Sequence, residues 1–317
     1  MTTIELKERI ATLSTTGLPH VMILSFLFGT STIASRFILA EMNSISFIGL
    51  RMAISVLCFV ALFAFSKNHS LPRDPKVWKH GMVLGIIGTT LPMTGFITSL
   101  NYLSAGLTSI ISTVGPALTV TMAHFLLKDD KLDRKQALGV ILALGGALML
   151  IMKGESGLGE GVKADPIGYF FILGSTVSSS ISVIYTRRFV REMKATEVTS
   201  VRALTAMMIT LPLGIFVFGY DFAQVSPATW GLILYGSIAS TFFGFILSLL
   251  VINEFGVTTS IITNYLVPIV ATITGALLLH EIVTGGMIFG MLVILSGIYI
   301  INAKPRKSRQ IPAEPKY

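Results

Sequence analysis

Thr108-Ser109-Ile110-Ile111 returns 151 residues later as Thr259-Ser260-Ile261-Ile262. The same shift superposes Glu41-Met42 on Glu192-Met193, Arg51 on Arg202, Gly85 on Gly236, Thr90 on Thr241, Gly139 on Gly290, Gly146 on Gly297 and Lys153 on Lys304. Isolated Gly or Thr matches carry little weight, but one register serving positions across most of the chain indicates an internal duplication. The halves run over 18–153 and 165–304, with a linker at 154–164, an N-terminal segment 1–17 and a basic tail 305–317.

What is duplicated is strongly apolar. The 317 residues are 52% hydrophobic and 13% charged, with a mean hydropathy of +0.77, too few charges to cover a water-soluble globule. A helix needs about 20 apolar residues to cross a bilayer. Such stretches fall at roughly 21–40, 46–66, 81–100, 103–125, 136–152, 167–186, 198–219, 230–252, 258–279 and 285–303. The expected fold is an all-α integral membrane protein of ten transmembrane helices. The short loops leave no room for a soluble catalytic or nucleic-acid-binding domain, so the partners expected are a small-molecule solute and the lipid bilayer, with no nucleic acid. A homodimer is compatible with the sequence.

The net charge of +8 comes from loop residues. Lys7 and Arg9, then Lys67, Arg73, Lys76 and Lys79, then Lys128, Lys131, Arg134 and Lys135, then Arg187, Arg188, Arg191 and Lys194, and finally the tail from Lys304, occupy alternate loops. The other side has only Lys153 and Lys163. The positive-inside rule then places both termini in the cytoplasm, in a multi-pass plasma or inner membrane protein with an even number of spans. Residues 1–18 include Glu5, Lys7, Glu8 and Arg9 and lack a cleavable signal, so the first span is expected to act as a retained anchor. Cys58, the lone cysteine, falls in the second span and offers no metal or redox site.

Five spans per half is an odd number, so the second half enters the membrane from the opposite face. Two inverted five-helix repeats have two nearly equivalent arrangements, each open to one side, which is the physical basis of alternating access. A receptor or scaffold has no need of that symmetry.

Short motifs extend the pattern. They are Phe28-Gly29 with Thr30, Ser31 and Arg36; Leu103-Ser104-Ala105-Gly106 leading to Pro116; Phe255-Gly256 leading to Asn264-Tyr265-Leu266-Val267-Pro268; and Leu279-His280-Glu281 with Gly290 and Gly297. In this order the chain resembles the drug/metabolite transporter superfamily, specifically its ten-span members built from two EamA-type repeats. The resemblance implies a metabolite carrier, with amino acids and related compounds as cargo. Two departures stand out: Asp130 takes the place of Glu281 in the first repeat, and Val267 stands where many relatives place an acid.

Polar groups in hydrocarbon are costly unless satisfied, so polar stripes mark helix contacts or a wet cavity. Six spans carry them, and from these come the candidate substrate-binding residues Ser25, Thr32, Arg36, Thr94, Ser112, Ser178, Tyr185, Thr241, Thr263 and Asn264. Close helix packing is the competing reading for each Ser and Thr, as it is for Gly81/Gly85 and Gly286/Gly290. Pro116 and Pro268, one residue apart in repeat register, are candidate hinges. Of the intramembrane arginines, Arg51 and Arg202 are expected to snorkel or form structural ion pairs, whereas Arg36 shares a polar stripe and is a candidate for an anionic group, with Glu41 as its alternative partner. His124 could titrate, or be a bystander near the interface.

No Asp or Glu lies in the middle of any expected span, which argues against exchange of lipophilic cations for protons. One Cys, five His and the lack of a hydrolase motif in a suitable context argue against an enzyme, and no cofactor or metal is expected. The leading expectation is a permease or exporter of a small metabolite. Efflux of drugs or other organic compounds is the alternative, and a non-transporting sensor or scaffold is the reading from a different class.

Overall fold

The computed structural model describes residues 3–66, 71–126, 131–159, 162–190, 193–220, 222–223 and 225–303. Lys67, Lys128, Asp130, Arg191, Glu192, Lys304 and the tail 305–317 lie outside the described residues, as do the side chains of the first sixteen residues, Gly256 and Ser260.

Among the described residues, ten helices are long and apolar enough to cross a membrane: α1 Gly17–Ile38, α2 Ser44–Phe65, α3 Pro75–Ser99, α4 Ala105–Leu126, α5 Arg134–Lys153, α6 Pro166–Phe189, α7 Ala195–Phe218, α8 Pro227–Ser248, α9 Ile262–Leu279 and α10 Gly285–Asn302. Their starts are written locally. Asn43, Asp74, Ser104, Asp165, Ser226 and Thr284 each accept an N-terminal backbone N–H, and Asp133 with Gln136 forms a capping box. Two helices extend past their spans: the one holding α1 begins at Thr3, and a continuous helix Gly244–Leu279 carries the end of α8 into α9. The loop expected between the eighth and ninth spans is therefore helical. Polar distribution is inverted relative to a soluble protein: Leu57, Phe65, Phe125, Ile141, Phe170, Phe216 and Phe289 are exposed, whereas Ser31, Ser35, Ser55, Ser99, Thr108 and Ser237 are buried.

The packing has the symmetry of the sequence repeat. α2 packs on α7 and α5 on α10; α1 packs on α9 as α6 packs on α4; α8 touches α1 and α2 as α3 touches α6 and α7. Exchanging the repeats leaves this set unchanged, as two inverted five-helix units require. Glycine permits the closest of these approaches. A Cβ on Gly139 would sit 2.6 Å from the Gly297 carbonyl, and one on Gly297 2.5 Å from the Gly139 carbonyl, so α5 and α10 meet backbone to backbone.

Symmetry extends to a local irregularity. α3 contains a π-helical segment at Ile86–Thr90 and α8 one at Tyr235–Phe243. The 151-residue shift maps the first onto 237–241, inside the second. In both, the repeat-mated threonine bonds the carbonyl five residues back, Thr90 to Gly85 and Thr241 to Gly236, each at 2.9 Å. An inserted residue of this kind widens a helix and frees backbone groups for other partners.

Candidate functional site

The intramembrane arginines attach to these π segments. Arg51 is buried and donates from Nε to Thr241 Oγ1 at 2.7 Å and from Nη2 to Ser31 Oγ at 3.1 Å. Its mate Arg202 donates from Nη2 to the Gly88 carbonyl at 2.8 Å and from Nε to Thr89 Oγ1 at 3.3 Å. Neither snorkels, and neither forms an ion pair among the described residues. Hydroxyls and a π-segment carbonyl satisfy the guanidinium instead, and these partners come from other helices that a one-dimensional reading cannot pair.

One face of the bundle is knit shut by its loops. Glu281, the one carboxylate among the buried described residues, accepts the N–H groups of Ala105 (2.7 Å) and Gly106 (3.2 Å) at the start of α4, where the helix dipole favours an anion. His280, in the left-handed region at φ 53°, turns the chain so that Glu281 projects there. Thr284 donates to Glu155 at 2.8 Å, Ser104 N–H to the Ser156 carbonyl at 2.8 Å, Ile282 N–H to the Gly157 carbonyl at 3.0 Å, and Ser226 N–H to Glu41 at 2.8 Å. Arg36 donates to the Leu100 carbonyl on this face and feels the charge of Glu281. Glu41, its expected alternative partner, is taken by Ser226.

Toward the opposite face lies a cavity of about 220 Å³. Leu24 and Phe28 of α1, Ser112, Thr113 and Pro116 of α4, Ser248 of α8, and Thr263, Asn264 and Val267 of α9 line it. None of these is charged. α4 is interrupted at Thr113-Val114, just before Pro116, whereas α9 runs helically through Pro268. The candidate hinges thus differ locally: one coincides with a break, the other with a continuous helix.

Of the sequence candidates, Ser112, Thr263, Asn264 and the hinge Pro116 meet at this cavity. The others lie elsewhere. Ser25 and Thr32 are buried and bond carbonyls of their own helix, Val21 and Phe28. Ser178 donates to the Ile87 carbonyl in the π segment of α3, and Thr241 is held by Arg51. Tyr185 bonds His80 Nδ1 at 2.8 Å. Thr94 is half-buried on α3, and Arg36 belongs to the knit face. His124 accepts the Leu132 N–H at Nδ1 at 3.0 Å. Phe28, Leu24, Val267, Thr113 and Ser248 complete the cavity without having been singled out as binding residues. The repeat register alone pointed to part of this set, because α4 and α9 are mates and both carry proline.

Thr263 is 5% exposed, and its Oγ1 has no hydrogen-bond partner, a cost seldom left uncompensated in a buried site; the hydroxyls of Thr108, Ser109 and Thr272 share this state but do not line the cavity. Among the described residues no cluster of side chains could hold a metal ion.

Comparison with known proteins agrees with the fold. The chain is 23% identical to the uncharacterized transporter YoaV of Bacillus subtilis over 88% of its length and 94% of that protein's. It is 26% identical to a probable amino-acid metabolite efflux pump of Salmonella typhimurium over 62% of this chain and 67% of the pump. One solved crystal structure superposes with a TM-score of 0.63 at 16% identity, covering 94% of this chain and 99% of the other. The model of the EamA-like transporter family matches twice, at 15–152 and 166–303. Two matches, one per repeat, span nearly the whole chain, and the protein belongs to the EamA-like transporter family.

Proposed function

We propose that this transporter moves a small organic metabolite, an amino acid or related compound, by alternating access of the repeats 18–153 and 165–304. The observation that carries the reading is the uncharged cavity between α1, α4 and α9, closed toward one face by the bonds of Glu281, Glu155 and Glu41. With both termini in the cytoplasm, as the basic loops suggest, the cavity lies on the cytoplasmic side of a face sealed outward. Hydroxyls and an amide face Leu24, Phe28 and Val267 across the cavity, a lining suited to a compact solute with one polar and one apolar end. The Salmonella typhimurium relative, named as a probable amino-acid metabolite efflux pump, supports the same cargo class and the outward direction.

A lining without carboxylates is poor for lipophilic drug cations, which need a compensating charge in a dry site. No groups suited to chemistry converge in the cavity, and we read the protein as a carrier without enzymatic activity. Solute counterflow in proteoliposomes tests the proposal: the purified chain should exchange at least one amino acid or close relative. Folded protein that moves none across a broad metabolite panel would overturn it, and saturable binding without flux would favour a sensor.

A further inference from the structure

α4 and α9 are repeat mates, both line the cavity, and each carries a proline four residues beyond a lining residue: Pro116 after Ser112, Pro268 after Asn264. Proline has no N–H. The Ser112 and Asn264 carbonyls therefore cannot receive the helical bond that the fourth residue onward would donate. Each repeat thus contributes one cavity-lining residue whose backbone acceptor lacks its helical donor. Beside them stands Thr263, whose buried Oγ1 has no partner. The Ser112 hydroxyl is engaged with the Ser109 carbonyl at 2.7 Å and leaves the Ser112 carbonyl free of competition from its own side chain.

We propose that the cavity seats a primary ammonium group of its solute on the carbonyl oxygens of Ser112 and Asn264 and on Thr263 Oγ1. An ammonium carries three N–H donors and no acceptor, which matches three oxygens. A carboxylate or phosphate would meet carbonyl lone pairs and be repelled. Because no lining residue is acidic, the oxygens solvate the charge without neutralising it, so the site favours an amine whose compensating anion is in the same molecule. Leu24, Phe28 and Val267 receive the apolar remainder, and a bare alkali cation would leave that wall and most of the 220 Å³ unused. The inference rests on the cavity being the solute site, and it adds the group recognised and the atoms that recognise it.

The test uses the purified full-length chain and a panel of L-amino acids, each paired with its deaminated counterpart, such as L-leucine with 4-methylpentanoate and L-phenylalanine with 3-phenylpropanoate. Binding is read as solute-induced protection from thermal unfolding, which requires no conformational cycle, and flux is read separately by counterflow. At least one amine should bind ten-fold or more tightly than its counterpart, since hydrogen bonds to a charged group are worth roughly 1.5–3 kcal/mol. Pro116→Ala and Pro268→Ala, which restore the helical N–H, and the isosteric Thr263→Val should each shrink that preference several-fold. Equal binding within pairs, no binding by any amine, or a preference untouched by all three variants would each overturn the proposal. So would saturable stabilisation by sodium or potassium alone, which would make these oxygens an ion site. Flux of solutes lacking an amine would sink the ammonium site while leaving the carrier intact; amine-selective binding without flux would do the reverse.

Discussion

Arg51 Nε donates to Thr241 Oγ1 at 2.7 Å, tying α2 to the π segment of α8, and its repeat mate Arg202 of α7 makes a related tie at 3.3 Å to Thr89 of α3, one residue before the mate of Thr241. The π segments of α3 and α8 are therefore each fastened by a guanidinium from a neighbouring helix.

Lysine cannot supply the planar fork that reaches Thr241 and Ser31 together. Arg51→Lys is expected to destabilise the protein by about 2–3 kcal/mol, because charged hydrogen bonds are lost in a buried site. Arg202→Lys should cost less, since its bond to Thr89 is longer. Unfolding midpoints in detergent distinguish the two, and equal, negligible changes would show that the ties do not support the π segments.

Glu281 gives the knit face a pH dependence. Burial holds its carboxyl above the ordinary 4.5, against the opposing pull of the Ala105 and Gly106 N–H groups and Arg36. A group whose pKa is raised in the closed state supports closure fully below its ordinary value, and that support is lost as pH rises through the raised one. Hydrogen exchange over 100–107, corrected for intrinsic rates, should quicken as pH rises above 4.5. Glu281→Gln should flatten that trend. Glu41 has the opposite sign: the Ser226 N–H holds its carboxyl below 4.5, so protection near 226 should fall as the solution is acidified through that lowered value.

The backbone contact of α5 with α10 leaves no space for a methyl group. Gly297→Ala, whose Cβ would lie 2.5 Å from the Gly139 carbonyl and 2.6 Å from the Ala143 nitrogen, should destabilise by about 2 kcal/mol or more. Gly145→Ala on the facing helix α5 meets nothing within 4 Å and should be neutral or stabilising by up to about 1 kcal/mol. Similar melting of both variants would contradict the packing described.

Filling the cavity separates transport from folding. Asn264→Phe introduces a ring into about 220 Å³ from an exposed position on the lining, so flux should fall ten-fold or more while the unfolding midpoint stays within a few degrees. Undiminished flux would place the solute path elsewhere.

The membrane class, the ten spans and the twofold repeat were legible in the chain itself, because hydropathy and periodicity are properties of consecutive residues. Thr108-Ser109-Ile110-Ile111 and its copy needed no coordinates to reveal the duplication. Helix starts were likewise local, written by residues such as Asp133 and Ser104. Which polar residue does what was decided by tertiary structure alone. Ser25 and Ser112 look alike in sequence, since any intramembrane hydroxyl can bond its own helix, a neighbour or a solute, yet only Ser112 reaches the cavity. Arg51 and Arg202 looked like residues reaching for an interface until folding brought hydroxyls from other helices within reach. A side chain's function in a bilayer depends on which partner satisfies it, and partners distant in sequence become neighbours only when the helices pack.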